Sequence, residues 1–433
     1  MTVAEQRQGL STAVDGYRLW QNIEALAKHG ASPGGAVNRP ALSKAEARAR
    51  AEIVAWGREI GLSAYTDAAA NLFLRLEGQR PELPPVLIGS HIDSQPTGGC
   101  FDGTFGVIAA LEVLRVFIER GERPERPVEL VAWTNEEGSR FAPGMSGSTG
   151  FTNPQSLPDI LAIRDRAGIS MAEAIAEIHA GDESIPEHPL GRPVHCYIEP
   201  HIEQNDVLER ANIPIGIVTG IQGTRRYRIR VDGKAGHAGT VAMADRRDAL
   251  IAATGLIGEL HREAVSLEDM KFTVGQFDVT PNAPSVIPES VYFSLDIRCP
   301  DNAAVDRLDA KIRAAASGDR DRCQVSLHQI THAPSLSFPA PMQQLLEKAT
   351  ERAGLASMRL FSAAGHDARQ LHYVCPTGMI FVPCCGGISH HPAEWVEPQH
   401  ILAGTKVLAE AVALAARAEP ADLLDDKARA AEG

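Results

Sequence analysis

The run Gly89-Ser-His-Ile-Asp93 closes the apolar stretch Val86-Leu-Ile, and Gly98-Gly-Cys-Phe-Asp-Gly-Thr104 follows a few residues later. A histidine, a nearby aspartate and a second aspartate between Phe101 and Gly103 therefore stand where a strand-like segment ends. Asn135-Glu-Glu-Gly138 follows another apolar run, Val128-Glu-Leu-Val-Ala-Trp133. Together these stretches offer the imidazole and carboxylate groups with which a pair of divalent cations holds and activates water. The pattern points to metal-assisted hydrolysis rather than to binding alone.

Spacing adds detail. His91 and Asp93 are two apart and share a face of an extended segment, so the Asp93 carboxylate is expected to take the second ring N–H of His91 and fix its tautomer. Asp102 has two oxygens and is suited to bridge two cations. Glu136 and Glu137 would face opposite sides of a regular strand and reach one site only if the strand ends there, which Gly138 permits. One would then ligate while its neighbour moves a proton. His201, after Tyr197-Ile-Glu-Pro200, and a histidine of Gly387-Ile-Ser-His-His-Pro-Ala-Glu394 complete the candidate set. Spacing alone does not separate His390 from His391.

Around this centre, helical spacing at Tyr17, Leu19, Ile23 and Leu26, then over 45–60, precedes strand-like runs at Leu72–Leu76, Val86–Ile88 and Val128–Trp133. A helical pattern from Val107 to Arg120 separates the last two. Strands alternating with helices indicate an α/β layer with parallel strands, whose active groups lie past the strands' carboxyl ends. From about Ile215 the texture changes to alternating strands (Tyr227–Val231, Phe272–Gly275, Val291–Ile297) and two helices, Asp245–His261 and Ala303–Ala316. This reads as an α+β unit inserted into the first domain. A helix over Met342–Ala353 and a strand at Met379–Val382 mark the return, while 154–193 reads as helical and loop-like.

The chain has 433 residues, a length at which two domains are expected. Its net charge of -13 argues against a nucleic-acid surface. Arg225-Arg-Tyr-Arg-Ile-Arg230 alternates as one face of a strand would, and Glu419–Asp426 forms an acidic tail. The first eight residues lack a secretory pattern and no stretch approaches the ~20 apolar residues of a membrane span. Seven cysteines without a regular framework fit reduced thiols in the cytoplasm, with Cys384-Cys385 expected as a buried, inert pair.

The chain resembles the hydantoinase/carbamoylase branch of the M20 metallo-amidohydrolases, which includes N-carbamoyl-L-amino-acid hydrolases, β-ureidopropionase and allantoate amidohydrolase. The resemblance rests on the runs 89–99, 101–103, 135–141 and Glu199-Pro-His-Ile-Glu-Gln204, then on Gly236-His-Ala-Gly-Thr240, Pro281-Asn282, Leu295-Asp-Ile-Arg298, Ala364-Gly-His-Asp-Ala368 and Gly387-Ile-Ser-His390. It implies an α/β, M20-type di-metal catalytic domain over 1–215 and 331–433 with a mixed, largely parallel sheet. It further implies an inserted α+β, ferredoxin-like lid and dimerisation domain over 216–330.

On the same resemblance, His91, Asp102 and His201 would hold one ion, and Asp102, Glu137 and His390 the other. Two divalent ions per subunit are expected, and mixed His and carboxylate ligands suit Zn²⁺, Mn²⁺, Co²⁺ or Ni²⁺. Glu136 would be the general base and His237 a donor to the developing oxyanion. Arg298 would grip a substrate carboxylate, and Gln204, Asn282, Ala363 and Ala364 would complete the pocket. His237 and Asn282 would act across a homodimer. The implied substrate is a small ureido or amide acid, with no nucleic-acid or membrane partner. An M20 exopeptidase or deacylase, or an allantoate-type amidohydrolase, is the alternative. A metal-dependent binding protein is a further one, against which the proton shuttle Glu136 argues. Asn205-Asp206, Ser285 and Ala363 depart from the family's usual residues and bear on the substrate rather than the metals.

Overall fold

Four β-rich, doubly buried runs form the parallel heart of the larger sheet. In spatial order they are Val128–Trp133, Val86–His91, Cys196–Ile202 and Thr377–Val382, each parallel to its neighbour. All their residues are buried, as expected of strands covered on both faces. The sheet is mixed. Leu72–Leu76 runs antiparallel to Val128–Trp133, Ser63–Thr66 antiparallel to Leu72–Leu76, and Ile215–Ile221 antiparallel to Thr377–Val382. This is the mixed sheet expected above, with the parallel strands at the centre, where crossover helices intervene, and antiparallel strands flanking them. The computed structural model describes residues 9–181 and 184–425 of the chain. The N-terminal octet read above for a leader, and Asp426 at the end of the acidic run, lie outside the described residues.

Helix Thr104–Glu119 covers this centre and is apolar almost all round, with thirteen of its residues buried. Gly106 lets it approach the strands: a Cβ there would overlap the Pro200 carbonyl and the Ser90 side chain. The C-terminal helix Pro398–Ala415 packs against the same core and contributes Ile401, Val407, Leu408 and Val412. Around the segment 154–193 the helices Leu157–Ala162 and Met171–Gly181 close a small separate cluster with Leu42, Ala70 and Phe141.

The chain divides into two compact units: residues up to Thr219 together with those from Phe338, and Gly220–Ser337. In the second unit the principal strands follow the order Phe277–Thr280, Ser290–Cys299, Gly223–Asp232, Cys323–Ala333, all antiparallel. Helices Ala249–Val265 and Asn302–Ala316 lie between them in sequence and bury Leu256, Leu260, Leu308 and Ile312 against Tyr227, Ile229 and Phe293. This is the split β-α-β arrangement of a ferredoxin-like unit. The first helix starts later than the spacing predicts, at Ala249 rather than Asp245, because the Asp248 carboxylate accepts the Leu250 and Ile251 amides as an N-cap. In Gly223–Asp232 burial alternates residue by residue, exposing Arg226, Arg228 and Arg230 and burying Arg225.

All seven cysteines are free thiols, and Cys385 is partly exposed beside the buried Cys384, so only one of that pair is sealed in the core. Among the described residues no helix is long and apolar enough to cross a membrane.

Candidate metal centre and active site

Every element of the parallel centre delivers a candidate at its carboxyl end. Val86–His91 ends on His91, Cys196–Ile202 carries His201 one residue before its end, and Val128–Trp133 leads into Glu136 and Glu137. The chain after Thr377–Val382 reaches His390. Asp102 stands just before helix Thr104–Glu119, where Gly103 at φ 62 turns the chain so closely that any Cβ would overlap the His91 ring.

The Asp102 carboxylate divides its two oxygens between two sets of groups. Oδ1 lies 3.5 Å from His91 Nε2 and 3.2 Å from His201 Nε2. Oδ2 lies 3.1 Å from His390 Nε2, which is itself 3.4 Å from Glu137. Ligand atoms of His91, Asp102 and His201 fall within 4.8 Å of one another, as do those of Asp102, Glu137 and His390. His391 instead turns away, its Nδ1 accepting the Ala393 amide at 3.0 Å. A third grouping by the same measure, Glu199, His201 and His366, shares His201 with the first.

The donor set itself tests whether cations fit. His91 Nδ1 is 3.0 Å from the Asp93 carbonyl and His201 Nδ1 is 2.9 Å from the Ile202 carbonyl. A carbonyl only accepts, so each Nδ1 carries a proton and Nε2 is the ring atom that faces the cluster, able to ligate through its lone pair whenever the ring is neutral. His201 Nε2 is buried there without a hydrogen-bond partner. Burial opposes a charge on either ring, yet Glu136 and Asp102 raise the His91 ring and Asp102 the His201 ring above the usual imidazole range, so the space between nitrogen and carboxylate favours positive charge and these residues fit a divalent cation there.

Asp93 differs from its expected role. Its main-chain carbonyl, not primarily its carboxylate, takes the His91 ring proton; the carboxylate is 3.5 Å from Nδ1. Asp93 Oδ1 and Oδ2 instead accept the amides of Glu136 at 3.1 Å and Glu137 at 3.2 Å. That contact, with Asn135 at φ 57, ends the strand and lets both glutamates face the cluster, Glu136 lying 3.6 Å from His91 Nε2. Gln204 donates to Asp102 Oδ2 at 2.7 Å.

Burial raises the Glu136 carboxyl well above its usual range, with Asp367 and Glu137 adding to it and His91 opposing. Burial, then the Asp102 charge, pushes Glu137 up to about 7. Hydrogen bonding to Asp102, followed by the Glu137 charge, raises His390 to about 9 despite partial burial. For Asp102, burial is overcome by His201, His390 and His91, which hold it well below the usual carboxylate range.

A family model described as Peptidase family M20/M25/M40 matches residues 87–414, the span that holds all of these groups. The chain belongs to this family. The M20 chain is 38% identical over 399 residues to the N-carbamoyl-L-amino acid amidohydrolase of Geobacillus stearothermophilus, covering 91% of this chain and 97% of that one. It is 33% identical over 394 residues to allantoate amidohydrolase of Bacillus subtilis, covering 90% and 95%. The crystal structure of an amidase of the hydantoinase/carbamoylase family from Burkholderia multivorans is 40% identical with a TM-score of 0.85, covering 94% of this chain and 99% of that one. The protein is therefore a hydrolase of the hydantoinase/carbamoylase branch, in a family of metal-dependent hydrolases.

The remaining candidates of the M20 chain are distributed as follows. Ala363 and Ala364 lead from strand Ser357–Ser362 to His366, whose ring centroid is 4.5 Å from that of His201. His237, Asn282 and Arg298 belong to the second unit. His237 is exposed on Gly236–His237, paired with Val286–Ile287, and its Nδ1 accepts the Gly239 amide at 3.0 Å. Asn282 is exposed at φ 55. Arg298 Nε and Nη2 bond the two Asp296 oxygens at 2.9 and 3.0 Å. Sequence reasoning gave no role to Glu394, Ser389, Glu199 or His366, although the last three lie inside the runs that carry the resemblance and Glu394 stands four residues beyond them. For Glu199, Ser389 and Glu394 the signal was proximity to a candidate ligand along the chain, and for His366 only its place in Ala364–Ala368.

Proposed function

We propose that the protein is a metal-dependent amidohydrolase cleaving the ureido C–N bond of an N-carbamoyl L-amino acid or related ureido acid, releasing ammonia and carbon dioxide. The two-sided use of Asp102 carries this reading: its oxygens face two separate sets of groups, one buried with His91 and His201 and one opening to solvent at His390. His91, Asp102 and His201 are assigned to one divalent ion, and Asp102, Glu137 and His390 to the other, with Zn²⁺, Mn²⁺, Co²⁺ or Ni²⁺ as fitting ions. When bound, such ions polarise a carbonyl and acidify water at neutral pH.

The chain's own residues do the rest. Glu136 Oε2 takes the water proton and hands it to the leaving nitrogen, and burial makes this carboxylate a stronger base than a solvated one. Asp93 holds the Glu136 backbone so that the side chain stays aimed at the cluster. Arg298 is assigned to the substrate carboxylate, for which Asp296 supplies the same bidentate pairing, and His237 to the oxyanion. Gln204, Asn282, Ala363 and Ala364 are assigned to substrate contacts. The enzyme acts in the cytoplasm as a homodimer through the inserted unit.

A panel of N-carbamoyl, N-formyl and N-acetyl L-amino acids, dipeptides and allantoate, each with Mn²⁺, Co²⁺ or Zn²⁺, tests the assignment. The N-carbamoyl acids should give the highest kcat/KM with ammonia released. Faster turnover of dipeptides would replace the reading with an exopeptidase, and faster turnover of allantoate with the activity named for the Bacillus subtilis relative.

A further inference from the structure

Glu394 is 4% exposed, and its carboxylate joins two segments of the centre. Oε1 accepts the amide of Phe101 at 2.9 Å and that of Asp102 at 3.1 Å. Oε2 is 3.1 Å from Ser389 Oγ, and the same hydroxyl is 2.9 Å from Asp102 Oδ2. One hydroxyl proton serves one acceptor at a time, so Ser389 links the Glu394 and Asp102 carboxylates without satisfying both. A Cβ on Gly99 would overlap the Glu394 side chain, so the loop carrying Asp102 is folded around this carboxylate. Next to it, the Trp395 ring meets Phe101 at 5.6 Å, which ties the same two segments by packing, and Trp20 of helix Gly16–Ala27 at 5.3 Å.

The two ligand groups differ in how their other members are held. His91 and His201 belong to buried, paired strands. His390 has φ 56 on an irregular stretch between Thr377–Val382 and Pro398–Ala415, and its side chain is 47% exposed. The Ser389–Glu394 pair anchors that stretch to Asp102.

Resting on the metal centre assigned above, we propose that Glu394 is a positioning residue that sets cation affinity at the Asp102, Glu137 and His390 group. It does so by fixing Asp102 Oδ2 and His390 at ligating separation, while the His91, Asp102 and His201 group depends on it less. Partners behind metal ligands change affinity by about 10–100-fold when removed.

The test is calorimetric titration of metal-stripped full-length protein with Mn²⁺, with bound metal counted by elemental analysis after dialysis. Wild type should take two equivalents. Glu394→Ala should keep one tight equivalent and bind the second about 10–100-fold more weakly. Glu394→Gln, which retains an acceptor for the two amides, should fall between, and Ser389→Ala should weaken the second equivalent less. Circular dichroism checks folding; if Glu394→Ala does not fold, the other two variants decide. A second equivalent as tight as in wild type in every folded variant overturns this proposal and leaves the metal centre standing. Fewer than two equivalents in wild type overturns both.

Discussion

At the scale of single residues, adjacent glutamates are assigned different work because their neighbours differ. Glu137 is 3.4 Å from His390, and the Gln95 side chain donates to it at 2.7 Å. Glu136 has neither contact and faces His91. Glu136→Gln is therefore expected to cut kcat by about 10²–10⁴-fold with metal content unchanged, since it removes a base and not a ligand. Elemental analysis of the purified variant checks this, and loss of an ion would mean that the two glutamates exchange roles. His91, Asp102, Glu136 and Glu137 were legible as candidates because each follows an apolar run, whereas His201 and His390 were picked out by the family resemblance and not by spacing. Spacing did not separate His390 from His391, because what distinguishes them is that His390, at φ 56, lies 3.1 Å from Asp102 while His391 accepts the Ala393 amide, and no spacing rule reports that. The Asp93 role was misread for a related reason: the period-two rule gives the face of a side chain, while the His91 ring proton goes to a backbone carbonyl.

At the scale of elements, the centre depends on how closely helix Thr104–Glu119 lies on the strands that carry His91 and His201. Gly106→Ala would force a methyl group into the Pro200 carbonyl and Ser90. It is expected to cost about 1–3 kcal/mol, read as a lower urea midpoint with unchanged slope. Elements with one clean period were legible: Gly16–Ala27, Thr104–Glu119, Val128–Trp133 and Asn302–Ala316 lie within a few residues of the spacing. The C-terminal helix Pro398–Ala415 was passed over because it is buried on most sides and shows no polar stripe, though Pro398 at its first position was a start signal. Strand Cys323–Ala333 was missed because polar residues fill most of its exposed face, and a bulge near Gln329 breaks its alternation.

At the scale of the molecule, the proposed ligands come from five stretches between His91 and His390, so ions held there would contribute to the fold's stability. A chelator is expected to abolish turnover and lower the thermal midpoint. Each tenfold excess of free ion over its Kd restores about 1.4 kcal/mol, measurable as a midpoint that climbs with metal concentration. Acid acts elsewhere as well. Burial, then Arg126, lowers the His195 imidazole to about 4, and its Nε2 lies 3.1 Å from the Ala415 carbonyl. Unfolded, this group titrates near 6.5, so between those values the unfolded chain binds a proton that the folded chain refuses. Its contribution is complete above about pH 6.5 and is lost as pH falls toward 4, by about 3 kcal/mol in all. His195→Gln should flatten that part of the stability–pH curve in urea melts. The most direct measurement of the metal centre is anomalous diffraction from a crystal grown with Mn²⁺. Two peaks are expected, one bounded by His91 and His201, the other by Glu137 and His390, with an Asp102 oxygen on each. A single peak, or two peaks with Asp102 bound to only one, would contradict the shared carboxylate on which the proposed chemistry rests.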